Sequence, residues 1–263
     1  MVIKFPTKYR VSYPSNNLKY YTDANKKFIL KPLLEACDNY CMYCGKNICV
    51  DDKYDYNIEH SLEKSMKVDK NNFLEHCKFN MSIACHDCNQ RYKTRMIDVV
   101  DRKLLKENPK CNEKECLEPC EVFYKIMEDY LGRNKIILQP NSIKSILNNY
   151  EIDYNLIKHV FEPSNSCGDE AVKTFISEHI ARFHLNREMY TESVLNICEI
   201  IISNIKIMNW QVSVNQLYSM IVVTKKRYDN ILEKLFIDFL FKNFSDIESL
   251  YRFCELSIVL SFV

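Results

Sequence analysis

The chain has 263 residues, of which 47% are hydrophobic and 12% aromatic, so it can bury a core and is not disordered throughout. It has only three glycines, far apart at positions 45, 132 and 168, which excludes phosphate-binding loops and dinucleotide-binding motifs with closely spaced glycines. Residues 1–110 contain 20 Lys and Arg against 14 Asp and Glu, a net charge of +6, whereas residues 111–263 carry −5. Polyanion binding is therefore expected in the first part.

The N-terminal residues lack the apolar core of a signal peptide, and no apolar run approaches the roughly 18 residues of a membrane span. We therefore expect a cytoplasmic protein without membrane contact, in which the 13 cysteines stay reduced. In that compartment closely spaced cysteines bind metals more often than they form disulfides.

The first part of the chain mixes short helices and strands. In chain order the sequence predicts an extended lead-in (1–25), a helix (24–38, with an alternative start at Pro32), a tight turn (41–46), a strand (48–50), a second strand (54–60), a loop or short helix (61–78), and a turn that leads into a helix (80–101).

The second part is predicted to be helical, because apolar residues recur every three or four positions and Asn, Asp or Ser precede several segments. The predicted helices span 120–131, 141–150, 153–161, 169–184, 190–208, 213–224, 229–243 and 246–260. The predicted organisation is a lead-in with a helix (1–36), a compact module (37–105), a linker (106–119) and a helical domain (120–263).

Two CxxC turns are the strongest chemical signal: Cys41 with Cys44, and Cys85 with Cys88. Four thiolates from two such turns form a tetrahedral structural Zn²⁺ site, and the alternative is four buried, reduced cysteines. A further group at positions 111, 116 and 120 offers only three thiolates. Cys111, Cys116 and Cys120 are therefore expected to form a buried cluster, and the alternative is a second metal site completed by Cys77 or a histidine.

Residues between and after these turns add a second signal. They are the run Ile58-Glu59-His60, Asn80, and the run Cys85-His86-Asp87-Cys88-Asn89-Gln90-Arg91-Tyr92-Lys93. With the first CxxC turn they resemble the HNH endonuclease superfamily, in which an acidic–His pair ends the first hairpin and an Asn lies five residues before the second knuckle. The resemblance covers roughly residues 37–97. Two positions depart from the family pattern: Glu59, where Asp is commoner, and Glu63, where proline is frequent.

The resemblance implies an α+β fold, with a small zinc-bearing ββα-metal module followed by a mostly α-helical domain. In it, His60 would be the general base that activates water for attack on phosphorus, and Asn80 would hydrogen-bond and orient the imidazole. Glu59 and Asn89 would hold one Mg²⁺ or Mn²⁺ through oxygen ligands. The implied activity is hydrolysis of DNA phosphodiester bonds, leaving 5′-phosphate and 3′-hydroxyl ends.

Two kinds of partner follow from the resemblance. Arg91 and Lys93 are expected to contact DNA phosphates from the predicted helix after the second knuckle. Residues 33–37, 59–65 and 180–187 are also similar to HNH subunits of Septu-type and retron-associated ATPase–nuclease pairs. That similarity implies a role in anti-phage defence, with an ATPase bound by the acidic helical domain.

The alternative is a non-catalytic zinc ribbon that binds nucleic acid or protein. A plain ribbon needs the four cysteines but has no use for Glu59, His60, Asn80 and Asn89 at these spacings. Those four residues therefore favour the enzyme.

Overall fold

The computed structural model of this chain describes residues 1–16, 18–66, 73–93, 100–106, 118–140, 150–225 and 227–262. Within these ranges it is a mixed α/β protein, in which helices predominate over three small antiparallel sheets. None of the helices in these ranges has an apolar stretch long enough to cross a membrane.

The helices and strands are numbered in chain order. The helices are α1 (Lys26–Cys37), α2 (Phe73–His76), α3 (Arg102–Lys106), α4 (Glu121–Asn134), α5 (Glu170–Arg182), α6 (Glu188–Ile207), α7 (Val214–Thr224), α8 (Ile231–Asn243) and α9 (Ile247–Leu260). The strands are β1 (Val2–Phe5), β2 (Cys49–Val50), β3 (Lys53–Tyr54), β4 (Asn57–His60), β5 (Met81–Ala84), β6 (Ile152–Asn155) and β7 (Val160–Pro163). A 3-10 turn (Lys78–Asn80) precedes β5, and a π-helix (Cys88–Lys93) follows it.

The helices of the second part largely follow the prediction. The segments predicted at 120–131, 169–184, 190–208, 213–224, 229–243 and 246–260 are confirmed as α4 to α9, with ends moved by a few residues. Their caps follow the sequence as well, because Asp169, Ser213, Asn230 and Asp246 each accept a backbone N–H in the first turn. The helix predicted at 141–150 falls on residues 141–149, outside the described residues.

The helix predicted at 153–161 is wrong, because this segment forms the hairpin of β6 and β7. The hairpin pairs with β1 at the N-terminus, in the antiparallel register Ile3↔Tyr154. Phe5 and Tyr154 both pack against Phe161, with ring centroids 5.1 and 4.9 Å away. The strand therefore depends on a partner about 150 residues away, and a local helical period cannot report such a partner.

Two strands of the first part also differ from the prediction. The predicted strand at 54–60 is divided, since β3 pairs with β2 and β4 pairs with β5. The segment after Asn80 is a strand rather than the predicted turn, and its four residues Met81–Ala84 are all buried. A fully buried strand lacks the apolar–polar alternation that identifies half-buried strands. In α1, Pro32 lies inside the helix and does not mark its start.

The predicted module and the predicted helical domain contribute to one continuous hydrophobic core. The ring of Tyr43 stacks on that of Phe183, with centroids 4.8 Å apart. Lys46 forms an isolated β-bridge with Asn230 at the start of α8. These contacts fix the CxxC turns against the helices, so the site below is built from both parts of the chain.

Candidate metal centre and buried polar site

The first CxxC turn is closed by backbone hydrogen bonds. The Gly45 amide donates to the Cys41 carbonyl, and the Cys41 amide donates to the Lys46 carbonyl, both at 2.8 Å. Gly45 has φ = +70°, and a Cβ at this position would come within 2.5 Å of Ile231. Both the left-handed backbone and the close approach of α8 therefore require glycine here.

The four cysteines of the two knuckles meet in one cluster. The sulfur atoms of Cys41, Cys44, Cys85 and Cys88 all lie within 4.8 Å of one another, and all four side chains are buried. The Cys44 and Cys85 sulfurs are 3.8 Å apart. Zinc–sulfur bonds of about 2.3 Å in a tetrahedron place the sulfurs about 3.8 Å apart, so the cluster can hold a structural metal such as zinc.

The four thiols shift one another's pKa values. Burial raises the pKa of the Cys41 thiol, whereas S–H bonds from Cys41, Cys85 and Cys88 lower the pKa of Cys44 well below its usual range. A metal ion bound by four thiolates displaces the protons that these sulfurs share. No cysteine in the described ranges forms a disulfide with another.

Aromatic and cationic side chains of the helical part surround this cluster. The Tyr190 hydroxyl donates to the Cys44 carbonyl. The Arg187 guanidinium lies 5.6 Å from the Tyr190 ring centroid and 5.8 Å from that of Tyr92 in the π-helix. Residues 180–187 therefore contribute Arg187 to the surroundings of the cysteine cluster. The sequence did not indicate that this segment lies next to the second knuckle.

A buried ion cluster lies beside the metal centre, at the end of β4. The Lys93 ammonium donates to the carboxylates of Glu59 and Glu63 and to the His60 carbonyl. The other Glu59 oxygen accepts from the Tyr43 hydroxyl at 2.8 Å and from the Ser82 hydroxyl at 2.5 Å. Glu59 is 2% exposed and Lys93 is 1% exposed, so the pair is withdrawn from solvent.

The cluster keeps Lys93 charged. Burial lowers the pKa of Lys93, but the neighbouring Glu59 carboxylate, Tyr130 and the Glu63 carboxylate outweigh it and raise the pKa. Burial raises the pKa of Glu63, and the charge of Lys93 opposes that rise. The cation beside Glu59 in this structure is therefore an ammonium group of the chain itself.

The hydrogen bonds of Glu59 compete with the divalent ion expected between Glu59 and Asn89. Both Glu59 oxygens already accept hydrogen bonds, whereas Asn89 lies in the π-helix, where its backbone N–H donates to the Cys85 carbonyl at 3.1 Å. A ligand oxygen needs a free lone pair aimed at the ion, and Glu59 has three donors around it. Within the described residues, the four-cysteine cluster is the only group of three or more His, Cys, Asp or Glu side chains placed to hold a metal ion.

His60 lies at the edge of this cluster and is held on two sides. Its Nε2 lies 3.0 Å from the Glu75 carbonyl oxygen, and its ring meets the Tyr21 ring edge to face, with centroids 4.6 Å apart. Burial lowers the pKa of His60, and the charges of Lys64 and Lys93 lower it further, while the Glu75 carbonyl opposes the change. The imidazole is therefore neutral near pH 7.

Asn80 is fully buried but does not perform the predicted contact with the imidazole. Its amide accepts from the Leu62 N–H at 2.7 Å and donates to the carbonyls of Leu62 and Leu74 at 2.8 and 2.9 Å. Both amide hydrogens are thus committed to the backbone on either side of the loop. Leu74 and Glu75 are neighbours in α2, so Asn80 and His60 contact adjacent carbonyls of the same segment between β4 and β5.

The two predicted phosphate contacts are placed differently from each other. The Arg91 side chain is 71% exposed and forms an ion pair of 3.1 Å with Asp87. Lys93 does not reach the surface, because the π-helix directs it into the carboxylate cluster. A π-turn has about one more residue than an α-turn, so it rotates the following side chain around the axis, which a predicted α-helix cannot show.

Sequence reasoning missed three contributors to the site: Tyr43, Ser82 and Tyr21. Ser82 could have been found from the hairpin, since Glu59 and Ser82 face each other in the register of β4 and β5. Tyr43 lies inside the first CxxC turn but carried no signal of its own. Cys111 and Cys116 lie outside the described residues, so the predicted cysteine cluster is described only at Cys120.

Comparison with known proteins adds no relative, since no family model, curated protein or solved structure matches this chain.

Proposed function

We propose that this chain is an HNH-type endonuclease that hydrolyses phosphodiester bonds of DNA, with His60 as the general base. The observation that carries the proposal is the hydrogen bond between His60 Nε2 and the Glu75 carbonyl. A carbonyl oxygen only accepts, so Nε2 carries the ring proton and Nδ1 keeps its lone pair. An imidazole held in this tautomer can take a proton from water.

In the proposed reaction, His60 Nδ1 takes a proton from a water molecule while the water oxygen attacks phosphorus. The bond from phosphorus to the 3′-oxygen breaks, and a solvent proton completes the 3′-hydroxyl end. The other strand end keeps the phosphate on its 5′-oxygen. The Glu75 carbonyl and the Tyr21 ring hold the imidazole during this step. Asn80 holds α2, which contains Glu75, through its bond to the Leu74 carbonyl.

Mg²⁺ or Mn²⁺ held by Glu59 and Asn89 stays a prediction of the family resemblance. An ion at Glu59 would have to displace the Lys93 ammonium before it could bind. The mechanism above therefore assigns roles only to the chain's own residues.

The second candidate function is a non-catalytic zinc module. The buried pair of Lys93 and Glu59 favours it, because this pair gives the acidic residue a structural partner. In that case His60 and Asn80 would serve only to hold the loop between β4 and β5.

A plasmid-nicking assay separates the two functions. Purified full-length protein is incubated with supercoiled DNA in EDTA, in Mg²⁺ and in Mn²⁺, beside the variants His60→Ala and His76→Ala. The nuclease proposal expects nicking that His60→Ala abolishes and His76→Ala preserves, since His76 lies nearby in α2 without a proposed role. Wild-type protein that leaves DNA intact under all three conditions would support the non-catalytic module.

We also propose that the helical region binds a protein partner of the ATPase class implied by the family resemblance. Apolar side chains such as Ile207, Val223 and Phe262 are more than 70% exposed, which is consistent with a covered surface in a complex. Purified complex should then cut DNA faster with ATP than the isolated chain does. An equal rate in both samples would contradict the proposed ATPase partner but not the nuclease.

A further inference from the structure

A cationic and aromatic surface lies directly over His60. The Tyr21 ring packs edge to face on the imidazole, at 4.6 Å between centroids. The ammonium groups of Lys64 and Lys26 lie 4.5 and 5.0 Å from the centre of the same Tyr21 ring. We call these four residues, His60, Tyr21, Lys26 and Lys64, the Tyr21 face.

Three separate segments build the Tyr21 face. Tyr21 belongs to the lead-in, Lys26 begins α1, and Lys64 follows β4. The lead-in is fixed at this place, because the buried Lys78 ammonium donates to the Pro14 carbonyl at 2.8 Å and the Tyr13 ring meets that of Phe79 at 4.9 Å. The face is therefore a built surface and not a free tail.

Its charge is available to a ligand. Lys64 is exposed, and Lys26 has an ion pair of 3.1 Å with Asp23, whose side chain is fully exposed. A pair of this kind contributes little free energy in water, so it yields to a better anion. Proteins that bind nucleic-acid strands combine lysines that contact phosphates with aromatic rings, and the Tyr21 face has both.

The Tyr21 face adds to the phosphate contacts predicted on the π-helix. Of those two, Lys93 is buried in its carboxylate cluster, whereas Arg91 is exposed and paired with Asp87. The two lysines around Tyr21 are supplied by α1 and by the loop after β4.

We infer that the Tyr21 face binds the phosphodiester backbone of a nucleic acid, with Lys26 and Lys64 each on a phosphate and Tyr21 between them. The site of cleavage at His60 rests on the proposed function, whereas backbone binding is measurable without cleavage. The proposal names the phosphodiester chain as the ligand, and DNA and RNA are the two sources that the test separates.

The test is fluorescence anisotropy with fluorescein-labelled 20-nucleotide probes: duplex DNA, single-stranded DNA and single-stranded RNA, all without added Mg²⁺ or Mn²⁺ and without a chelator. Lys26→Ala/Lys64→Ala should raise the Kd at least about tenfold and reduce the slope of log Kd against log salt by about 2 for the duplex, since two phosphate contacts are lost. The control Lys27→Ala/Lys31→Ala removes the same charge, from α1 alone, and should change the Kd less than about threefold. Lys27 lies over Phe28 and Lys31 near Glu35.

The outcomes separate this inference from the nuclease proposal. Equal Kd values for the two double variants, or no binding of any probe by the wild type, would overturn the Tyr21 face. Lysine-dependent binding without nicking would support the face and refute the nuclease. Nicking together with binding that does not depend on these lysines would support the nuclease and refute the Tyr21 face. The preferred probe identifies DNA or RNA as the ligand.

Discussion

Lys93 donates its ammonium group to the carboxylate of Glu59, and both side chains are 1% exposed. The contact joins β4 to the π-helix that follows the second CxxC turn. Two charges removed from water are stabilised only by each other and by the surrounding donors and acceptors. Loss of one residue of the pair is therefore expected to lower the free energy of unfolding more than loss of both.

Lys93→Met tests this dependence. The substitution removes the cation and leaves the buried Glu59 carboxylate without its main partner, which should lower the free energy of unfolding by about 3–5 kcal/mol. Urea denaturation followed by circular dichroism measures the loss. Lys93→Met/Glu59→Leu should recover part of it, because the fully buried Glu59 carboxylate is removed together with its cation, and only the partly exposed Glu63 loses its partner. A single variant as stable as the wild type would show that Lys93 is not buried with Glu59 in solution.

Zinc should bind at about one ion per chain in protein purified without chelators. Cys88→Ser should lose the ion and unfold at lower temperature, because the two knuckles are held together chiefly by the metal. Cys254→Ser is the matched control, since Cys254 is equally buried but lies outside the cluster, in α9. Elemental analysis and thermal denaturation give both readouts. Metal-free wild-type protein of undiminished stability would contradict the site.

The sequence predicts those parts of this protein that depend on local pattern or on short spacing. The Asp246 cap of α9 and the apolar stripe of α6 are readable because the interactions lie within one turn. The cysteine cluster is readable because two CxxC turns have few uses other than metal binding. The hairpin of β6 and β7 cannot be predicted in this way, since its strands depend on β1 near the start of the chain.

The polar site shows the same limit at the level of side chains. The sequence places Glu59, His60 and Asn80 in one motif, but it cannot show which atom each side chain meets. Asn80 uses its amide on Leu62 and Leu74, and Lys93 turns inward along the π-helix. Such contacts depend on helix phase and loop path, which residue types alone do not determine.

His179 should make the protein sensitive to acid. Its Nδ1 accepts the Ile137 N–H at 3.1 Å, and burial together with the charge of Arg182 lowers its pKa to about 3. In the unfolded chain its pKa returns to about 6.5. Between these values only the unfolded chain takes up the proton, so stability is complete above about pH 6.5 and is lost as the pH falls toward 3.

The expected contribution of His179 is a slope of about 1.4 kcal/mol of unfolding free energy per pH unit between about pH 6 and 4. His179→Asn keeps an acceptor for the Ile137 amide but cannot titrate, so its stability should fall less steeply over the same range. Urea denaturation at pH 7, 6 and 5 measures both proteins, and their difference cancels the pH dependence of metal binding. Parallel curves would show that His179 is solvated or already protonated in the folded chain.

Asn80→Ala should act on the base without touching it. Loss of the amide leaves the Leu62 N–H and the carbonyls of Leu62 and Leu74 without their partner, at a cost of about 1 kcal/mol for each bond. The segment between β4 and β5 then no longer holds the Glu75 carbonyl against His60, so the His60 ring should populate both neutral tautomers.

Nitrogen-15 NMR of histidine-labelled protein reports the tautomer directly, with the wild type expected to protonate Nε2 alone. Asn204→Ala, which removes an exposed side-chain bond in α6, should leave that signal unchanged. If His60 keeps its tautomer in Asn80→Ala, the Glu75 contact is maintained by other parts of the loop, and Asn80 has only a stabilising role.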